Sequence, residues 1–244
     1  MISAFDSSEG VMKNQYFGDI NDYRKYGLLR ALTRLSGLKV GICWLLTDDD
    51  RTGNGQLRDY LKRPDRWRAY DPQLFDTLQS LQRTETTPSV AKAREWAIIP
   101  KACYFEAVLS DSLVARETYF QAACQSLQEC PLIFLDPDIG IEVESTRLGS
   151  RGSAKYIYWR EMEEIYSKGH SLLIYQHFPR VLIDRFIPFL ADRLADEFGA
   201  TRVTAFRTPH VAFFLVQQPQ HEKALKGCPH EIRNKWPGQL IPWP

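Results

Sequence analysis

The chain of 244 residues lacks most of the features that would assign it quickly. Its five cysteines (Cys43, Cys103, Cys124, Cys130 and Cys228) are odd in number and scattered, with no C-x-x-C pair. That spacing argues against a disulfide framework or a zinc knuckle and leaves small core residues as the expected role. Charge of one sign is also missing, because 31 Lys and Arg stand against 30 Asp and Glu. Any basic footprint for a polyanion must therefore be local. No apolar run reaches the roughly 18 residues of a membrane span, and MISAFDSSEGVMKNQ lacks a charged n-region followed by an apolar h-region. The expectation is a cytoplasmic protein without a membrane partner. Repeats, low-complexity stretches and Gly/Ser/Pro-rich linkers are absent, and so is G-x-x-x-x-G-K-[ST], which removes the P-loop NTPases. One domain over 1–244 is the simplest reading, with an N-terminal helical segment at about 1–36 and an irregular tail at about 228–244. Four prolines in that tail argue against a helix there.

What is present alternates. Residues 22–35, DYRKYGLLRALTRL, place Leu28, Leu29, Leu32 and Leu35 on one helical face, with Asp22 in position to cap the start. LKVGICWLL (38–46) is short, apolar and rich in strand formers. Residues 72–82 and 112–129 read as helices, with weaker strand signals at WAII (96–99) and CYF (103–105) between them. LIFL (132–135) is a strand, 159–168 a helix, SLLIYQ (171–176) a strand, and 180–198 a long amphipathic helix ending at Gly199. TRVTAFRT and VAFFLVQQ, separated by Pro209 and His210, read as an antiparallel hairpin. The fold class expected is α/β, a three-layer Rossmann-like domain whose mostly parallel sheet ends in that hairpin. Sheets of this kind bind ligands at the carboxyl ends of their strands, near the switch in strand order.

The chemistry-bearing residues follow those strand ends. PLIFLDPDIGIE (131–142) drives a buried strand into Asp136, Asp138 and Glu142. Partly buried carboxylates repel each other and lose solvation unless a ligand, metal or donor compensates. A cap at Asp136 with two solvated acids after it is the plainer alternative. TDDDRTGNG (47–55) supplies Thr47, Asp48, Gly53 and Gly55, a loop suited either to a cofactor's close approach or to a hydrated turn. YQHFPR puts His177 beyond the end of the next strand as a base, a ligand or a surface imidazole, and Gln176 beside it as a hydrogen-bonding group. In residues 13–30, Tyr16, Phe17, Tyr23 and Tyr26 interleave with Lys13, Arg24, Lys25 and Arg30. Such interleaving suits base stacking and phosphate binding, or equally an ordinary amphipathic helix.

With these residues in place, the chain resembles the class I S-adenosylmethionine-dependent methyltransferases, whose fourth strand runs into an acidic D-P-P-aromatic loop. Asp136-Pro137-Asp138-Ile139 occupies that place here, with an acid for the second proline and isoleucine for the stacking aromatic. Asp22-Tyr23-Arg24-Lys25-Tyr26 is similar to the D-x-x-K-H of ribosomal RNA adenine-N6 methyltransferases. Tyr16-Phe17-Gly18-Asp19 together with the 134–142 stretch also resembles a bacterial family bearing Y-F-G-D and F-L-D-P-D-x-G-x-E. The methyltransferase resemblance implies S-adenosylmethionine as cofactor and a nucleic acid base as the acceptor of the methyl group. It implies that Lys25 and the loop from Thr47 through Asp48, Gly53 and Gly55 hold the cofactor, and that Asp136 meets the target amino group. Asp138, Glu142 and His177 complete the candidate catalytic set. No acid at the end of a clear second strand is expected to grip the ribose. Two alternatives stand beside this reading. Asp136, Asp138, Glu142 and Glu144, with Lys155, could hold Mg2+ or Mn2+ in a nuclease, although Ser153 stands where that motif wants an acid. The chain could also be a methyltransferase-like binding module without catalysis.

Overall fold

The computed structural model describes residues 17–47, 57–84 and 89–243. Helix α1 (Ile20–Ser36) starts two residues before Asp22, because Asp19 is the cap: its Oδ1 accepts from the backbone N–H groups of Asn21 and Asp22, both at 2.8 Å. The expected cap at Asp22 is thereby corrected. Asp22 lies inside the first turn and accepts instead from Gly18 N at 2.9 Å, so two acids three residues apart secure both sides of the helix start. Gly27 stands within the helix for a packing reason. A Cβ at that position would overlap the Trp236 ring, which packs against the helix from the far end of the chain.

Strand β1 (Val40–Cys43) follows, then the short α2 (Pro64–Trp67), α3 (Pro72–Thr84) and α4 (Ala91–Glu95). WAII is not the strand expected at 96–99. Trp96 ends α4, Ala97 turns through φ 45°, and Ile98 and Ile99 fold back into the core. The weaker signal at CYF is a strand, β2 (Cys103–Phe105), and α5 (Leu113–Ser126) and β3 (Leu132–Leu135) come next. A two-stranded ribbon, β4 (Gly140–Ile141) and β5 (Tyr156–Ile157), precedes α6 (Trp159–Ser167), β6 (Ser171–His177) and α7 (Ile183–Phe198). The hairpin expectation holds as β7 (Val203–Arg207) and β8 (Val211–Val216). The irregular tail does not: after α8 (Glu222–Leu225), which lies just ahead of it, the tail forms α9 (Cys228–Lys235) and the strand β9 (Ile241–Trp243). Pro229 falls in the first turn of α9, where its missing N–H has no helical partner to lose, and the other three prolines lie beyond the helix.

Among the described residues the main sheet has the order β2-β1-β3-β6-β8-β7-β9. β2, β1, β3, β6 and β7 run one way and β8 and β9 the other. The architecture is α/β with a mixed, mostly parallel seven-stranded sheet. Alternating side chains build a core on each face. Ile42, Trp44, Phe134, Leu173, Tyr175 and Phe213 pack with α1, α3 and α9, while Cys43, Leu45, Ile133, Leu135 and Ile174 pack with α5, α6 and α7. The chain leaves β1 for β2 on one side and returns across it to β3 on the other, so the order switches between β1 and β3. No helix among the described residues is long and apolar enough to cross a membrane.

The β4–β5 ribbon is pinned to α5 by Arg116, which is buried and bidentate on Glu161 (2.8 Å twice) and also donates to the carbonyls of Ser153 and Tyr156. This satisfied pair holds in place the segment that leads out of β3.

Candidate functional site

The strand switch places the carboxyl ends of β1 and β3 side by side, and α1 delivers a cation to them. Lys25, one turn into α1, sets Nζ 2.7 Å from Asp136 Oδ2 and 3.1 Å from Asp22 Oδ1. All three side chains are about 5% exposed or less. Two ring faces finish the enclosure, Tyr175 at 5.3 Å and Trp44 at 5.8 Å from the ammonium. Burial opposes charge on Lys25, but Asp136 and Asp22 outweigh it and hold the ammonium above its ordinary value. Burial pushes Asp136 up to about 6 against the pull of Lys25, so the pair is ionic at neutral pH and the carboxylate is the partner nearer to taking a proton. Asp22 also accepts from Tyr26 OH at 3.1 Å, which removes its remaining need for solvent. On Asp136, Lys25 donates to Oδ2.

The other expected residues meet different fates. Thr47 and Asp138 come together, Thr47 Oγ1 donating to Asp138 Oδ2 at 3.1 Å, so the turns after β1 and β3 are tied to each other. His177 reaches the Lys25 pair through Tyr175, whose hydroxyl lies 3.0 Å from its Nε2. Burial, then Lys25 and His210, lower His177 to about 4, which makes it neutral and a weak base at pH 7. Glu142 is used elsewhere: its Oε1 accepts from Trp159 N at 3.1 Å and caps α6. Asp48, Gly53 and Gly55 lie outside the described residues. Gln176 is structural, accepting from Ile141 N at 2.8 Å and donating to its neighbour's carbonyl. Asp136, Asp138, Glu142 and Glu144 do not converge, and no group of three or more His, Cys, Asp or Glu among the described residues is placed to hold a metal ion.

The structure adds two residues that the sequence reading passed over. Glu106 directly follows β2, so an acid does stand at the end of the second strand, contrary to expectation. Its carboxylate pairs with Arg94 at 3.1 Å through Oε2, while Oε1 is buried without a partner. Continuing the register Cys43↔Phe105 by one residue sets Glu106 beside Trp44, whose buried indole Nε1 is likewise unpartnered. An orphaned acceptor and an orphaned donor at neighbouring strand tips each carry a desolvation cost that a ligand hydroxyl or amide would remove. The strand reading at CYF, followed at once by an acid, was the signal that could have found Glu106.

These shifts give the fold a testable pH dependence. Asp136 at about 6 and Asp19 at about 7, both raised chiefly by burial, bind protons in the folded state that the unfolded chain has released above about pH 4. Their contribution to stability is full below about pH 4 and is lost as pH rises through 7. His177, lowered to about 4, acts in the opposite sense and contributes above its unfolded value. Urea unfolding of His177→Asn between about pH 4.5 and 7.5 should show a steeper fall in stability with rising pH than the wild type. Parallel profiles would mean that the imidazole is not held neutral. A scan against protein-family models and a search of curated proteins each found no match to this chain.

Proposed function

We propose that the protein transfers a methyl group from S-adenosylmethionine to an amino nitrogen of a nucleic acid base. The observation that carries this reading is the placing of Trp44, Glu106 and Asp136 at three adjacent strand tips beside the switch in strand order, with the Trp44 indole N–H and one Glu106 oxygen left unpartnered there. The hairpin whose last strand inserts next to β6 supports the Rossmann-like, methyltransferase-type form of the α/β architecture. Glu106 Oε1 and Trp44 Nε1 suit the hydroxyls and ring nitrogens of an adenosine group, and Thr47 would lie against the rest of that molecule. When bound, S-adenosylmethionine would supply an electrophilic methyl group on a cationic sulfur.

Within this reading Asp136 has the central task. Oδ1 accepts a hydrogen bond from the amino group, aligning its lone pair and stabilising the positive charge that develops on nitrogen. Lys25 is a positioning residue, fixing the carboxylate through Oδ2 and keeping it ionised against its burial. Because Asp136 is raised to about 6, it is also a fit acceptor for the proton that the amino nitrogen releases. Ile139 offers no aromatic face for the target base, so stacking falls to another surface.

Incubating the full chain with methyl-labelled S-adenosylmethionine and total RNA or single-stranded DNA should place label on base amino nitrogens. Glu106→Gln should raise KM for S-adenosylmethionine about 10-fold or more, the scale of one charge-assisted hydrogen bond, with kcat little changed. An unchanged KM would remove Glu106 from the cofactor site. Cofactor binding with no transfer to either polymer would favour the non-catalytic binding module.

A further inference from the structure

At the opposite, amino-terminal edge of the sheet, two of the five cysteines come together. Cys103 opens β2 and is the Cα partner of Gly41 on β1. Cys130 lies four residues after the end of α5 and just ahead of β3, folded over that same glycine: a Cβ added to Gly41 would stand only 3.1 Å from the Cβ of Cys130. The missing side chain at 41 is what lets Cys130 approach its neighbour, so that Cys103 and Cys130 interact across the glycine. Cys103 is also the most accessible of the five cysteines, the other four being buried. Lys39, 40% exposed and loosely paired with Glu129 at 3.4 Å, also interacts electrostatically with the Cys103 thiol. A partly exposed thiol beside a cation, with a second thiol behind it in a water-poor position, is the arrangement of a peroxide-sensitive pair.

We propose that Cys103 and Cys130 form a reversible dithiol modification site, with Cys103 as the thiol attacked first and Cys130 as the resolving thiol. The oxidant is a peroxide. The Cys103 thiolate attacks one peroxide oxygen, the O–O bond breaks, and the products are a sulfenic acid and hydroxide, which takes up the proton that the thiol had released and becomes water. The Cys130 sulfur then attacks the Cys103 sulfur, the S–O bond breaks, and the hydroxide leaves with the Cys130 proton as a second water. Two electrons pass from the two thiols to the peroxide, and a thiol reductant reverses the step. The site is independent of the strand tips at the other edge of the sheet.

The test uses the full chain with hydrogen peroxide, followed by non-reducing peptide mapping. A peptide pair joined through Cys103 and Cys130, short of two hydrogens and separated by dithiothreitol, is expected. Cys103→Ser should abolish the link and leave Cys130 unmodified, and Lys39→Met should slow link formation several-fold while leaving the reaction of denatured chains unchanged. Accumulation of sulfinic acid at Cys103 without a link, or equal peroxide reactivity at Cys43 and Cys124, would overturn the assignment. Since wild-type mapping alone decides between these outcomes, failure of a variant to fold does not protect the proposal.

Discussion

Lys25→Met should destabilise the fold by about 3–5 kcal/mol, the scale found when one partner of a buried ion pair is removed. The reason is what stays behind. Asp136 and Asp22 are each nearly inaccessible, and both lean on one ammonium at 2.7 and 3.1 Å. Methionine fills the volume between the Trp44 and Tyr175 rings but offers no charge, so two carboxylates would have to take up protons or draw in water. Urea unfolding at pH 7.5 measures the loss. At pH 5 the deficit should shrink, because Asp136 is already raised towards 6 and protonates readily once its cation is gone. The double variant Lys25→Met with Asp136→Leu should recover part of the deficit, since it removes one of the orphaned charges. A single-variant loss below about 1 kcal/mol would show that solvent reaches the cluster and that the pair is an ordinary surface one.

Asp136→Asn should separate chemistry from binding. The amide keeps the size of the carboxylate, and Lys25 retains Asp22, so the fold is expected to survive. What changes is Oδ1, which loses its charge at the point where the amino group is to be held. Loss of one preorganised acceptor aimed at developing charge costs about 100- to 1,000-fold in kcat. Affinity for S-adenosylmethionine should stay within about twofold, because the cofactor contacts are assigned to Glu106, Trp44 and Thr47. Transfer at near wild-type rate in Asp136→Asn would remove Asp136 from the reaction and leave it a structural partner of Lys25.

Much of the architecture could be read before the structure because it depends on local patterns. LIFL running into Asp136, the leucine stripe of α1 and the two apolar runs around Pro209-His210 each carry their periodicity within a few residues. The misses have equally local causes. Asp19 and Asp22 both suit a helix cap, and the backbone uses the first as cap and the second as its support. Counting prolines condemned the tail, whereas the position of Pro229 within α9 decided the matter. β2 has only three residues, too few for alternation to stand out, and so Glu106 at its tip went unnoticed. Contacts across the chain were out of reach altogether. Nothing in a single sequence says that Lys25 meets Asp136, 111 positions away, or that Trp236 lies on Gly27. The same holds for Glu142: an acid near a strand end looks the same in sequence whether it faces a ligand or caps the next helix.

Calorimetric titration of the full chain, first with S-adenosylmethionine in metal-free buffer and then with manganese alone, tests the strand-tip site most directly. Saturable heat at one site per chain with the nucleoside, diminished in Glu106→Gln, and none with manganese, is the predicted result. Heat with manganese that disappears in Asp138→Ala, and none with the nucleoside, would contradict it and turn the acids after β3 into metal ligands.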